Sequence, residues 1–154
     1  MNKENILKLA DIIAAQPYNN NSNDKQGFGM AQVFHTCGTP SCIAGFAVAC
    51  AMVDHKFVNV RLDLIDHYDT EKAFYKMRED EDIDWDNYAA DWLGIPRTNE
   101  NKTLASELFM PRDVIWSLIT PLVAATCLRN LAETGKVEWK VALAAHTPEE
   151  NDNE

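Results

Sequence analysis

From Pro40 to His55 the chain reads Pro-Ser-Cys-Ile-Ala-Gly-Phe-Ala-Val-Ala-Cys-Ala-Met-Val-Asp-His, with apolar side chains on every helical face. A helix of that kind has no side to turn to water, so it belongs at the centre of a domain with other elements packed round it. Gly45 is then the place where a neighbouring helix comes close. The pattern predicts a mainly α single domain of about six or seven helices around this central one. With 154 residues, 46% of them hydrophobic, the chain has enough material for a core without disulfides or metal.

The flanking segments supply the packing partners. Lys3 to Gln16 places Ile6, Leu7, Leu9, Ala10, Ile12 and Ile13 at helical spacing before Pro17. Tyr18 to Lys25 holds Asn19, Asn20, Asn21 and Asn23 and reads as a loop. Phe57 to Leu64 alternates Val58, Val60 and Leu62 with polar residues, the pattern of one short strand or hairpin arm. Thr70 to Met77 reads as a short helix. The next starts at a cap supplied by Asp84 or Asp86 and stops at Gly94. Thr103 to Phe109 and Pro111 to Leu118 read as two further short helices. Thr120-Pro121 opens the clearest one, which runs to Glu133 with Leu122, Ala125, Leu128, Leu131 and Ala132 for packing and is stopped by Gly135. Val137, Trp139 and Val141 are expected to pack back on the core. The globular unit is expected over 1–146, with 147–154 as an acidic disordered tail.

The balance of 14 basic against 24 acidic residues gives a net charge of −10. That charge disfavours direct nucleic-acid binding and attachment to an anionic membrane, and it favours a basic partner. No run approaches a membrane span, and Met1-Asn2-Lys3-Glu4-Asn5 lacks a signal-peptide pattern, so a cytoplasmic location is expected. Glu79, Asp80, Glu81, Asp82, Asp84 and Asp86 form an acidic edge, followed at helical spacing by Trp85, Tyr88 and Trp92. Either those aromatics lie in the core beside a solvated turn, or the edge presents an apolar anchor rimmed by charge to a basic groove. The aspartates at 80, 82, 84, 86 and 91 also fall on a calcium-loop template, but Trp85 replaces its turn glycine and Asp91 its bidentate glutamate.

Chemistry concentrates in Cys37-Gly38-Thr39-Pro40-Ser41-Cys42. With Thr39 as cap and Pro40 as first helical residue, Cys42 falls in the first turn, where free N–H groups and the helix dipole favour a thiolate. The alternative is a small buried residue at a tight helix start. A nucleophilic Cys42 needs an imidazole, for which His35, His55, His67 and His146 are the candidates, with His35 put first. His35, Cys37, Cys42, Cys50 and His55 do not make a metal set at sensible spacing, so neither metal nor cofactor is expected. The amides of Thr39 to Cys42 could alternatively hold a small anionic ligand. A Cys37–Cys42 disulfide would require an oxidising setting.

Leu9-Ala10, Phe28, Met30, the Cys37-Gly38-Thr39-Pro40 and Cys42-Ile43-Ala44-Gly45 segments, Leu93-Gly94, Leu108-Phe109, Thr120-Pro121 and Leu131 to Trp139 together resemble a group of small phage and bacterial proteins of no established activity. The resemblance implies a phage context, in which small acidic proteins often inhibit host systems. It therefore implies a binding protein for a basic host factor, either a defence protein or a nucleoprotein effector, in the host cytoplasm. Cys37-Gly38 through Ser41-Cys42 and Phe46-Ala47 also resembles the nucleophile segment of papain-type hydrolases, with extra residues around Cys42. This second likeness implies a thiol hydrolase as the alternative.

Overall fold

The computed structural model describes residues 1–21, 26–35, 40–54, 85–96 and 103–147. Within them the chain forms α1 (Lys3–Ala14), α2 (Ile43–Asp54), α3 (Trp85–Leu93), α4 (Leu104–Phe109), a 3-10 turn (Trp116–Leu118), α5 (Pro121–Thr134) and α6 (Trp139–His146). The described fold is mainly helical, as the patterning predicts. Two isolated bridges, Tyr18 to Phe28 and Phe34 to Pro40, are its only β contacts among the described residues. The expected strand at Phe57 to Leu64, the helix at Thr70 to Met77 and nearly all of the acidic tail lie outside the described residues.

α2 is apolar on all sides and buried on all sides: every residue from Ile43 to Met52 is covered. It packs against α1, α3 and α4, while α1 lies along α5 and α6 closes on α5. One continuous core joins Ile6, Leu9 and Ile13 of α1 to Phe46 and Met52 of α2, Leu93 of α3, Leu108 of α4 and Leu128 and Leu131 of α5.

The start of α2 departs from the sequence expectation. The helix begins at Ile43, and Pro40 lies in the bridge to Phe34 instead of opening it. Competition for backbone groups explains the shift. The Ser41 N–H donates to the Val33 carbonyl (2.9 Å), its carbonyl accepts the Gly29 N–H (3.1 Å), and its hydroxyl donates to the Gly29 carbonyl (2.9 Å). Gly45 does mark a close approach, but the neighbour is the Val33 carbonyl of this loop and not a helix. Phe28 reinforces the contact by packing on Phe46, with ring centroids 6.4 Å apart.

α1 ends at Ala14, before the expected Gln16, and is capped by Asn2, whose side chain accepts the Asn5 N–H. Its first turn also terminates α3. The Asn2 N–H donates to the Leu93 carbonyl (2.9 Å) and the Asn5 amide to the Trp92 carbonyl (2.8 Å). Gly94 (φ 65°) turns the chain there so closely that a Cβ would meet the Asn2 nitrogen. Asp86 sits in the first turn of α3. Thr103 caps α4 and Thr120 caps α5, which Gly135 ends at φ 74°.

Two further expectations are corrected. Pro111 to Leu118 is no helix beyond its 3-10 turn, because the Trp116 indole takes the Pro111 carbonyl (2.6 Å) that a helical N–H would otherwise bond. Trp139 to His146 is a helix the patterning misses. Trp139 is buried and donates to the Glu107 carbonyl (2.8 Å), whereas Val141, expected on the core, is exposed.

Gly45→Ala should destabilise the fold by about 1–3 kcal/mol, since its methyl group meets fixed backbone that only a shift of the loop can relieve. Urea unfolding of the variant beside the parent chain measures it. An unchanged midpoint contradicts the packing of the Val33 loop on α2.

Candidate functional site

Cys42 precedes the first residue of α2, and its carbonyl accepts the Phe46 N–H. The thiol is free and only 4% exposed. Backbone N–H groups of Gly45 and Ala44 are directed at the sulfur and favour the thiolate, as the helix-start argument anticipates. Desolvation outweighs them, and burial pushes the thiol up to about 11. Of the two readings of Cys42, the small buried residue at a tight helix start is the one that fits its burial. Of the Thr39 to Cys42 amides considered for an anionic ligand, Thr39 lies outside the described residues, Pro40 has no N–H, and the Ser41 N–H is spent on the Val33 carbonyl.

His35 is also buried, and both its ring nitrogens face loop groups. Nε2 donates to the Gly27 carbonyl at 2.7 Å. The Gln32 amide lies 3.0 Å from Nδ1 and donates to the Asn21 carbonyl at 2.8 Å, so one nitrogen bridges ring and backbone. The Asn21 carbonyl itself is 2.9 Å from Nδ1. These bonds make His35 a clamp across the loop, and no hydrogen bond joins it to Cys42. Asparagines expected to be too polar to pack are part of the same build: Asn20 accepts the Ala31 N–H (3.1 Å) and Asn19 the Asn21 N–H (3.3 Å).

Cys50 and Cys127 are free and buried as well, and burial pushes each up to about 12. Among the described residues, no three His, Cys, Asp or Glu side chains come together in a way that could hold a metal.

At the acidic edge, Glu79, Asp80, Glu81, Asp82 and Asp84 lie outside the described residues. Trp85 and Asp86 open α3. Trp85 meets Phe34 edge-on, with centroids 5.8 Å apart and planes at 76°. Trp92 is core, its indole N–H held by Asp54 at 2.7 Å, and Tyr88 is half-buried with its phenol pushed up by desolvation. The aromatics of α3 thus pack on the protein more than they project from it.

The sequence reading missed a different surface. Between Met110 and Leu122, five large apolar side chains are exposed: Met110, Ile115 (65%), Trp116, Leu118 (54%) and Leu122 (53%). Assigning Pro111 to Leu118 to a helix concealed Ile115, Trp116 and Leu118 by giving them a face to bury, and Leu122, expected among the packing residues of α5, is exposed instead. The signal available was Pro121, which with its Thr120 cap starts α5 and leaves the preceding residues as a connection.

No protein-family model matches the chain, and no curated protein or solved structure is similar to it. Among the described residues no helix is long and apolar enough to cross a membrane.

An unperturbed thiol titrates near 9.0, and the folded state holds Cys42 protonated to about 11. Above pH 9 the unfolded chain therefore releases protons that the folded chain retains. The stability linked to this thiol is full below pH 9 and falls as pH rises toward 11. Denaturant midpoints measured across that interval should decline, and the decline should be shallower in Cys42→Ala. In a Cys37→Ser background, the remaining thiols should react with a thiol-directed reagent only as the protein unfolds.

Proposed function

We propose that the protein acts by binding: an acidic, phage-type inhibitor that covers a basic host protein, either a defence factor or a nucleic-acid-handling factor, in the host cytoplasm. The observation that carries this reading is the net charge of −10 on a chain whose described cysteines are all buried. A thiol hydrolase needs an accessible thiolate beside a free imidazole. Here Cys42 is covered, and the His35 ring is buried against Gly27, Asn21 and Gln32 of its own loop with no hydrogen bond to Cys42. What the molecule offers to its surroundings is charge and apolar surface. Charge of this size steers a basic partner to the encounter. The phage setting rests on the likeness of the Cys37 to Gly45 segment and its companions.

The acidic run from Glu79 to Asp82, with Asp84, Trp85 and Asp86 after it, is the contact edge in this reading. Immobilised protein should retain a basic bacterial protein at about 0.05 M salt and release it at about 0.5 M, because the screening length shrinks severalfold. Reversing Glu79, Asp80, Glu81 and Asp82 to lysine together should weaken that retention and slow association, with thermal melts verifying the fold. Retention indifferent to both salt and reversal contradicts the acidic edge. Turnover of a thiol-reactive ester that disappears in Cys42→Ser but survives Cys127→Ser contradicts the binding function itself.

A further inference from the structure

We propose that the apolar ridge between Met110 and Leu122 is a contact between two copies of this chain, related by a two-fold axis. The ridge is fixed in place by the protein beneath it. Ile119 is fully buried and Val114 partly so, and these side chains root the segment in the core. The Trp116 indole holds the Pro111 carbonyl at 2.6 Å, and the Tyr18 hydroxyl donates to the Ser117 carbonyl at 2.6 Å, bringing a further exposed aromatic beside the turn. The Leu118 and Ile119 N–H groups close the 3-10 turn on Ile115 and Trp116. Ile115, Leu118 and Leu122 are thus held out in water by a hydrogen-bonded frame, at a cost in apolar exposure that an interface would remove.

Charge selects the occupant. The chain carries −10, yet from Leu108 to Ala132 its only charged residues are Arg112, Asp113 and Arg129. Arg129 is paired with Asp11 at 3.0 Å, and neither Arg112 nor Asp113 has a partner among the described residues. A basic groove would meet almost no carboxylate here. A second copy fits: the ridge is a charge-poor window through which two strongly acidic chains can meet. Across a two-fold axis residue i faces j while j faces i, so adjacent Arg112 and Asp113 of one copy complement Asp113 and Arg112 of the other. Apolar side chains then meet apolar side chains between two reciprocal ion pairs.

The sign of the salt effect separates this contact from the basic-partner complex. Screening weakens attraction between an acidic and a basic protein but relieves repulsion between two acidic ones. Sedimentation equilibrium of the full chain over a concentration series should therefore show a reversible dimer that tightens as salt rises from about 0.05 M to 0.5 M. Ile115→Asp should weaken it by about tenfold or more without lowering the melting temperature, with Ile115→Ser as the milder variant should the aspartate disturb the turn. Arg112→Asp and Asp113→Arg should each weaken it, and the double variant should restore it. A monomer at every concentration overturns the proposal. So does a dimer that loosens with salt, survives both Ile115 variants, or is not restored by the double charge exchange. None of these outcomes bears on retention of a basic protein by the acidic edge, so the two readings fail separately.

Discussion

A helix with no polar face needs protein on every side, and among the described residues α2 obtains it from α1, α3, α4 and the loop that precedes it. The helices are what any buried segment would recruit. The loop is the less expected partner, and it is joined to α2 at the tightest point in the fold, where Gly45 lies under the Val33 carbonyl. Much else follows from that approach. Ser41 is drawn into the loop by its bonds to Val33 and Gly29, which delays the helix to Ile43 and leaves Cys42 beneath the crossing. His35 then ties the loop to itself through Gly27, Asn21 and Gln32. At the other end of α2, Asp54 receives both the Trp92 indole and Lys8, fastening the central helix to α3 and α1. An aspartate is a poor residue for a helix C-terminus, and these donors offset its repulsion from the terminal carbonyls.

The state of Cys42 is decided by a contest between two effects of similar kind. Amide dipoles at a helix start stabilise a thiolate, but only the first turn contributes and each dipole acts over a short range. Removing the same sulfur from water penalises the anion more, and with 4% exposure the penalty prevails. The loop that shapes the start of α2 is therefore also what keeps its cysteine unreactive.

Most of the helices were legible because they carry signals that act locally. Thr120-Pro121 and Gly135 bound α5 within a residue of the expected end, and Thr103 starts α4 as its chemistry suggests. The same Thr-Pro pair at Thr39-Pro40 did not start α2 at Pro40, since Ser41 found backbone partners some distance back in the sequence, which no local pattern records. Long-range bonds also explain the loss of the helix at Pro111, where an indole took the carbonyl. α6 was hidden for the opposite reason. Its cap residue Glu138 makes no side-chain bond, and only Trp139 and Ala142 are fully buried, a stripe too narrow to stand out. At the candidate site, the local pattern offered burial as one reading of Cys42 but carried no sign that His35 would be covered, because its burial depends on partners at Asn21 and Gly27 in the loop.

The pairing of α1 with α5 carries a consequence for how the protein is made. Arg129 and Asp11, which link these two helices, are separated by 118 positions. At synthesis rates of about 5–20 residues per second, α1 is made several seconds before α5. Through that interval Ile6, Leu9 and Ile13, all fully covered in the finished molecule, have no α5 to lie against. The apolar face of α1 thus stays incomplete until α5 follows, and the growing chain carries a sticky amphipathic segment for as long as that takes.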